Sequence, residues 1–177
     1  GEYTDASSGA LDGITGATTL GALKLGTVDP ADISVVDNLL GAVGGSIGEV
    51  GAIALIIGFI YLLAVGVISW HIPVSILATV AVFSWAAGAP VAIELLSGGL
   101  LLGAIFMATD YVTSPMTRSG MIVYGILIGA LTMVIRLWGA YPEGVSFAIL
   151  LGNACTPLIN RYFRPRRFGA ERRKVAA

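Results

Sequence analysis

Between residues 12 and 20 the chain reads Asp12-Gly13-Ile14-Thr15-Gly16-Ala17-Thr18-Thr19-Leu20, which sets the hydroxyls of Thr15, Thr18 and Thr19 within five positions. Gly13 and Gly16 open backbone conformations closed to other residues, so this segment can wrap an anionic group. A turn without a ligand is the alternative that the same residues allow. Four carboxylates punctuate the apolar remainder: Glu49, Glu94, Asp110 and Glu143. Each falls at or near the end of an apolar run, where a charge reaches water at little cost; acids held deeper mark ion routes or structural ion pairs. Glu49 follows Gly44-Gly45-Ser46-Ile47-Gly48, and Asp110 stands between Ala108-Thr109 and Thr113-Ser114. Such oxygen-rich, small-residue settings suit a hard cation or a proton. Arg136 is the one base inside an apolar run.

Other reactive side chains carry less. His71 is an interface residue rather than a relay. Cys155, the only cysteine, excludes an internal disulfide and stands in an apolar segment as a small buried hydrophobe. No nucleotide-binding loop, dinucleotide fingerprint, zinc spacing or nucleophile triad occurs, and no metal site is expected.

The elements that must position these residues are membrane helices. A mean hydropathy of +0.87, with 56% hydrophobic and 12% charged residues in 177, belongs to a polytopic membrane protein. Residues 1–46 are rich in Gly, Ala, Ser, Thr and Asp and form an extramembrane loop. A short helix is expected over 18–25, broken at Asp29-Pro30, and a surface amphipathic helix over 33–42. Glycines 41, 44, 45, 48 and 51 then permit close backbone approach or a re-entrant turn. Five apolar spans follow. The first, 50–69, has twenty residues without a charge, enough to cross about 30 Å of hydrocarbon. A turn at Trp70-His71 leads to 73–90; the third, 94–110, is short and interrupted at Gly98-Gly99; the fourth and fifth are 120–137 and 142–160.

The tail, 161–177, holds seven of the ten basic residues, which places it in the cytoplasm as a topology anchor rather than a nucleic-acid site. Five crossings then put the Trp70-His71 turn and the 110–118 hairpin on the cytoplasmic side. The opening loop and the Tyr141-Pro142 turn face outward. The domain division is therefore loop 1–46, bundle 47–160 and tail 161–177.

Four blocks carry a family resemblance: the motif 12–18, then Gly44 to Glu49, then Phe106-Met107-Ala108-Thr109-Asp110-Tyr111-Val112-Thr113-Ser114-Pro115, then Glu143-Gly144, Asn153 and Pro157-Leu158-Ile159-Asn160. In this order they resemble the D subunit of the Rnf ion-translocating oxidoreductase, with the B subunit of the sodium-pumping NADH:quinone reductase as a close relative. The resemblance implies FMN joined by a phosphoester to the hydroxyl of Thr18, the last residue of a Thr15-Gly16-Ala17-Thr18 motif, with Asp12 and Gly13 shaping the turn. It implies an all-α polytopic fold of two inverted five-helix repeats similar to urea transporters, of which this chain supplies one, as the C-terminal half starting in the central extracytoplasmic loop. It also implies a second, noncovalent flavin (riboflavin) in the full subunit, neighbouring Rnf subunits including a flavin subunit, a prokaryotic inner-membrane location, and Na+ or H+ movement coupled to ferredoxin:NAD+ electron transfer. Glu49 and Asp110, then Glu94 and Glu143, are the candidates for the ion route. A urea-transporter-like channel without redox chemistry, and the quinone-reductase subunit, are the rival readings.

Overall fold

The computed structural model describes residues 19–24, 36, 39, 51–97, 99–139 and 143–164. These are helical almost throughout: α1 Thr19–Lys24, α2 Ala52–Val65, α3 His71–Ala86, α4 Val91–Leu96, α5 Leu100–Leu102 running into a π-helical turn Gly103–Met107, α6 Arg118–Trp138 and α7 Val145–Tyr162. The expected helix over 18–25 is present as α1. Of the expected surface helix, only Val36 and Leu39 are described, and both are helical. The loop motif from Asp12 to Thr18, Glu49, the Gly44 to Gly48 stretch, the Tyr141-Pro142 turn and most of the basic tail lie outside the described residues.

The apolar runs match helices, but two of the helices are shorter than the runs. The 50–69 run yields α2 of 14 residues, and the 73–90 run yields α3 of 16. The reason is glycine. Gly66 adopts φ 75°, its N–H bonds to Leu63 O at 3.1 Å and the Val67 N–H to Leu62 O at 3.0 Å. That pair of bonds is a Schellman stop, satisfying last-turn carbonyls with a left-handed residue that only glycine adopts without strain. Gly88 repeats it at φ 70°, with Gly88 N–H to Trp85 O and Ala89 N–H to Ser84 O. The third run is broken at 97–99, where Ser97 is extended and Gly99 is left-handed. Its second half winds as a π turn closed by the Ala108 N–H to Gly103 O bond of 2.8 Å. Against this, α6 is as long as its run: Thr117 caps it by accepting from the Gly120 N–H at 3.2 Å. It is the one described helix long and apolar enough to cross a membrane.

The core forms where α3, α6 and α7 meet. Ile72, Ile76 and Val80 of α3 pack with Tyr124, Ile128 and Met133 of α6 and with Ala148 and Ile149 of α7. Helices α3 and α6 run parallel, with Ser69 near Met121 at one end and Ser84 near Met133 at the other. They approach through small residues four apart on each: Gly125 and Gly129 of α6 face Ser75 and Thr79 of α3. A Cβ at Gly125 would land on Ser75 Oγ, and one at Gly129 would lie 2.8 Å from Thr79 Cβ. Both hydroxyls turn back onto their own helix, Ser75 to Ile72 O at 2.9 Å and Thr79 to Ser75 O at 2.7 Å. Backbones in lipid associate through close packing rather than through the hydrophobic effect, so this small-residue seam is the mechanism that holds α3 to α6.

The outside is apolar. Ile57, Ile60 and Tyr61 of α2 and Leu150, Leu151 and Leu158 of α7 are exposed. Exposed aromatics gather at both ends, with Trp70, Tyr111 and Tyr162 at one and Trp85 and Trp138 at the other. Large apolar side chains turned outward and aromatics at the rims are the pattern of helices solvated by lipid.

Candidate functional site

Arg136, in the last turn of α6, is 5% exposed and meets Glu94 of α4, which is 8% exposed. Its Nη1 lies 2.7 Å from Glu94 Oε2 and 2.6 Å from the Glu94 carbonyl oxygen. Nη2 donates to Ser97 O at 3.0 Å, and Nε reaches Glu143 O at 3.4 Å. A guanidinium offers five donors in a rigid fork and keeps its charge, so burial is tolerable only with such a set of acceptors. Glu94 and Ser97 stand at the end of α4, where the chain turns extended at Ser97, and that turn sets their carbonyls at the guanidinium. One side chain thereby fastens α6, the broken third run and the turn before α7.

The same end of the bundle receives α1. Lys24 Nζ donates to the Arg136 carbonyl at 3.0 Å and to that of Gly139. These are terminal acceptors of α6, at the negative end of its dipole. Leu20, one helical turn before Lys24, is 6% exposed. Spacing of four puts both on one face of α1.

The sequence candidates are not gathered at one point. Glu94 belongs to the Arg136 node, where burial and pairing replace the interfacial setting open to it from the sequence. Glu143 is half-buried beside the node, contributing its backbone carbonyl. Asp110 is at the opposite end, exposed, with its carboxylate accepting from Thr113 Oγ1 at 3.2 Å. There Met116 N–H donates to Asn160 Oδ1 at 3.2 Å, joining the 110–118 hairpin to α7. Between the ends, the fully buried Tyr124 donates its hydroxyl to Asn153 Oδ1 across α6 and α7. Asp12, Gly13, Thr15, Gly16, Ala17, Thr18 and Glu49 lie outside the described residues.

Sequence reasoning did not single out Lys24, the one base among residues 1–38, or the Ser75 and Thr79 pair. The Gly125 and Gly129 spacing is visible in the chain; what it packs against is not.

A sequence model of the NQR2, RnfD, RnfE family matches residues 2–169. The chain is 46% identical over 168 residues to the D subunit of the Na+-translocating ferredoxin:NAD+ oxidoreductase complex of Acetobacterium woodii, covering 94% of this chain and 52% of that protein. It is 42% identical over 184 residues to the D subunit of the proton-translocating ferredoxin:NAD+ oxidoreductase complex of Clostridium ljungdahlii, covering 96% and 56%. It is 43% identical over 183 residues to the D subunit of the ion-translocating oxidoreductase complex of Stutzerimonas stutzeri, covering 94% and 52%. The chain spans about half the length of these curated relatives.

Proposed function

The chain belongs to the NQR2, RnfD, RnfE family, and from that premise we propose that it is the membrane-embedded C-terminal part of the D subunit of an Rnf-type redox-driven ion pump, bearing FMN on Thr18. The observation that carries this is similarity over more than nine-tenths of the chain to relatives named as the D subunits of ion-translocating oxidoreductase complexes. The Thr15-Gly16-Ala17-Thr18 motif supplies the attachment point. When bound, FMN supplies the redox chemistry, accepting and passing electrons at its ring system. The protein's part is to hold and place it: a hydroxyl at Thr18, glycines that let the backbone turn, and α1 fixing the following residues to the bundle. Neighbouring Asp12 repels a phosphate, so on this reading its side chain braces the turn instead of facing the cofactor.

Ion movement falls to a different part of the molecule. One relative is named for Na+ and another for protons, so the family frame is compatible with either ion. Glu94 is committed to Arg136, and a cation binding there would have to displace a guanidinium. On this reading its role is structural. Asp110, exposed among oxygens at the far end, and Glu49 remain the candidates for ion entry or exit.

The test is the mass of the full-length protein expressed in a host that has the flavin transferase. One FMN adduct on the peptide containing Thr18 is expected, and Thr18→Val should abolish flavin fluorescence in a denaturing gel. An unmodified mass in that host would remove the flavin assignment and favour the non-redox channel. Reduction of the intact complex by ferredoxin rather than NADH separates this reading from the quinone-reductase subunit. For the ion route, Asp110→Asn and Glu49→Gln should lower ion uptake by vesicles while leaving the flavin attached; unchanged uptake would take them off the route.

A further inference from the structure

One edge of α7 is polar from end to end. Ser146, Asn153 and Asn160 recur every seven residues, so successive members sit about 10 Å apart on nearly the same face of the helix. Ser146 is exposed and the two asparagines are half-buried, beside the exposed and apolar Phe147, Leu150, Leu151 and Leu158. Polar side chains at bilayer depth turn toward protein or toward water rather than toward lipid. The edge also joins the two ends of the bundle. Asn160 Oδ1 accepts from the Met116 N–H in the hairpin that carries Asp110, and Glu143 stands just before the start of α7 beside Arg136.

Asn153 is the midpoint of the 18-residue α7. Its Oδ1 accepts from the hydroxyl of Tyr124, which leaves lone pairs on both oxygens and two amide N–H donors for other partners. Its backbone carbonyl is denied the usual helical donor as well, because the residue four positions on is Pro157, which has no N–H. Position 153 therefore offers amide, phenol and carbonyl oxygens at mid-depth, the neutral hard ligands that suit an alkali-type cation and its water.

We propose that this edge of α7 is one wall of the ion route, a water-filled track from the Asp110 hairpin to Glu143, with Asn153 and Tyr124 as its mid-depth station for a hydrated monovalent cation. The proposal deepens, and rests on, the reading of the chain as part of an ion pump. The space between α3, α6 and α7 offers no such path. Ile76, Val80, Ile128 and Met133 are fully buried there, and the Ser75, Thr79 and Thr132 hydroxyls bond to carbonyls of their own helices. Asp110 lies near enough for its charge to act on the Tyr124 hydroxyl, so the station and the hairpin acid are within electrostatic reach of each other. Acids at the ends and neutral oxygens in the middle suit conduction, which needs attraction at entry and weak holding along the way. An amide does not titrate, so the station passes a hydrated cation, Na+ or hydronium, and does not hand a proton between side chains.

The test uses the full-length protein in its complex. In a Cys155→Ala background made otherwise cysteine-free, Ser146→Cys, Asn153→Cys and Asn160→Cys should react with a small cationic methanethiosulfonate, because a thiol ionises where water reaches it. Leu151→Cys and Leu158→Cys, on the opposite side of α7, should not. Absence of reaction at Asn153→Cys in the assembled complex would mean a dry helix contact and would overturn the track. Ion uptake is then read in vesicles driven by reduced ferredoxin and NAD+, for Na+ and for protons. Asn153→Leu should lower uptake of whichever ion the unsubstituted complex moves by about tenfold, the scale of one lost polar contact to a charge. It also strands the Tyr124 hydroxyl and so lowers the unfolding temperature. The double variant Tyr124→Phe with Asn153→Leu removes both polar groups and should regain stability, while uptake stays low. Recovery of uptake together with stability would overturn the station and leave a bond that only joins α6 to α7. No uptake by the unsubstituted complex would instead sink the ion-pump reading, and with it any role for the track, whatever the cysteines show.

Discussion

At the scale of single residues, the Arg136 and Glu94 pair dominates what a substitution can do. Two charges taken out of water are tolerated because each answers the other and the remaining guanidinium donors find carbonyls. Removing one partner strands the other, which typically costs about 3–5 kcal/mol, whereas replacing both with apolar residues of similar volume is often close to neutral. Glu94→Leu and Arg136→Leu should therefore each lower stability by about that amount in mixed-micelle unfolding, and the double variant should recover more than half of the loss. A Glu94→Leu protein of unchanged stability but lost ion uptake would reverse the assignment and return Glu94 to the ion route. The pair also shows what the sequence withholds. Arg136 and Glu94 are each conspicuous as charges in apolar runs, but they are 42 residues apart, and nothing in spacing or composition says that they meet. Lys24 is harder still, because its partners are backbone carbonyls, which every residue possesses.

At the scale of elements, hydropathy located the helices and misjudged where two of them stop. A window of apolar residues reports what lipid tolerates; it is blind to a left-handed glycine, because Ala64, Val65, Gly66 and Val67 are equally apolar. The stop is conformational, so Gly66→Ala should cost about 1–2 kcal/mol at its positive φ even though nothing crowds the added methyl. The opposite holds on the α3 and α6 seam, where φ is ordinary and space is absent. Gly125→Leu and Gly129→Leu would drive a side chain into Ser75 or Thr79 and the α3 backbone. Both should lower the unfolding temperature of the detergent-solubilised protein by many degrees, while Ala154→Leu on the exposed face of α7 should change stability by less than about 0.5 kcal/mol. Equal effects at seam and surface would mean that α3 and α6 are not held by close approach. The fourth run was legible to within a residue or two because its apolar stretch, 120–137, is continuous and no left-handed glycine stops the helix inside it. The break in the third run was legible as Gly98-Gly99, but its use was not: the Glu94 and Ser97 carbonyls there accept from Arg136.

At the scale of the whole molecule, the two ends of the bundle are chemically distinct. One end gathers Arg136, Glu94, the start of α7 and, through Lys24, the helix that follows the Thr15-to-Thr18 motif. The other gathers the Trp70-His71 turn, Asp110 and the 110–118 hairpin joined to Asn160. Counting crossings in the sequence assigned the opening loop and the 141–142 turn to one side of the membrane. In the structure α1 lies beside Gly139, at the end of α6 that precedes that turn, and α3 and α6 run parallel. The basic tail sets the expectation that its end faces the cytoplasm, through the excess of Lys and Arg on that side, and that expectation can be tested directly. Trp138 and Tyr111 are exposed at opposite ends, and Cys155 is the only cysteine to remove. In a full-length Cys155→Ala background made otherwise cysteine-free, Trp138→Cys should react with an impermeant maleimide added to intact cells. Tyr111→Cys should react only after permeabilisation. Labelling of both from outside would break the five-crossing topology, and labelling in the reverse order would invert it. Only the reverse order would put the end of the bundle that receives α1 on the cytoplasmic side, against the outward-facing opening loop expected from the sequence.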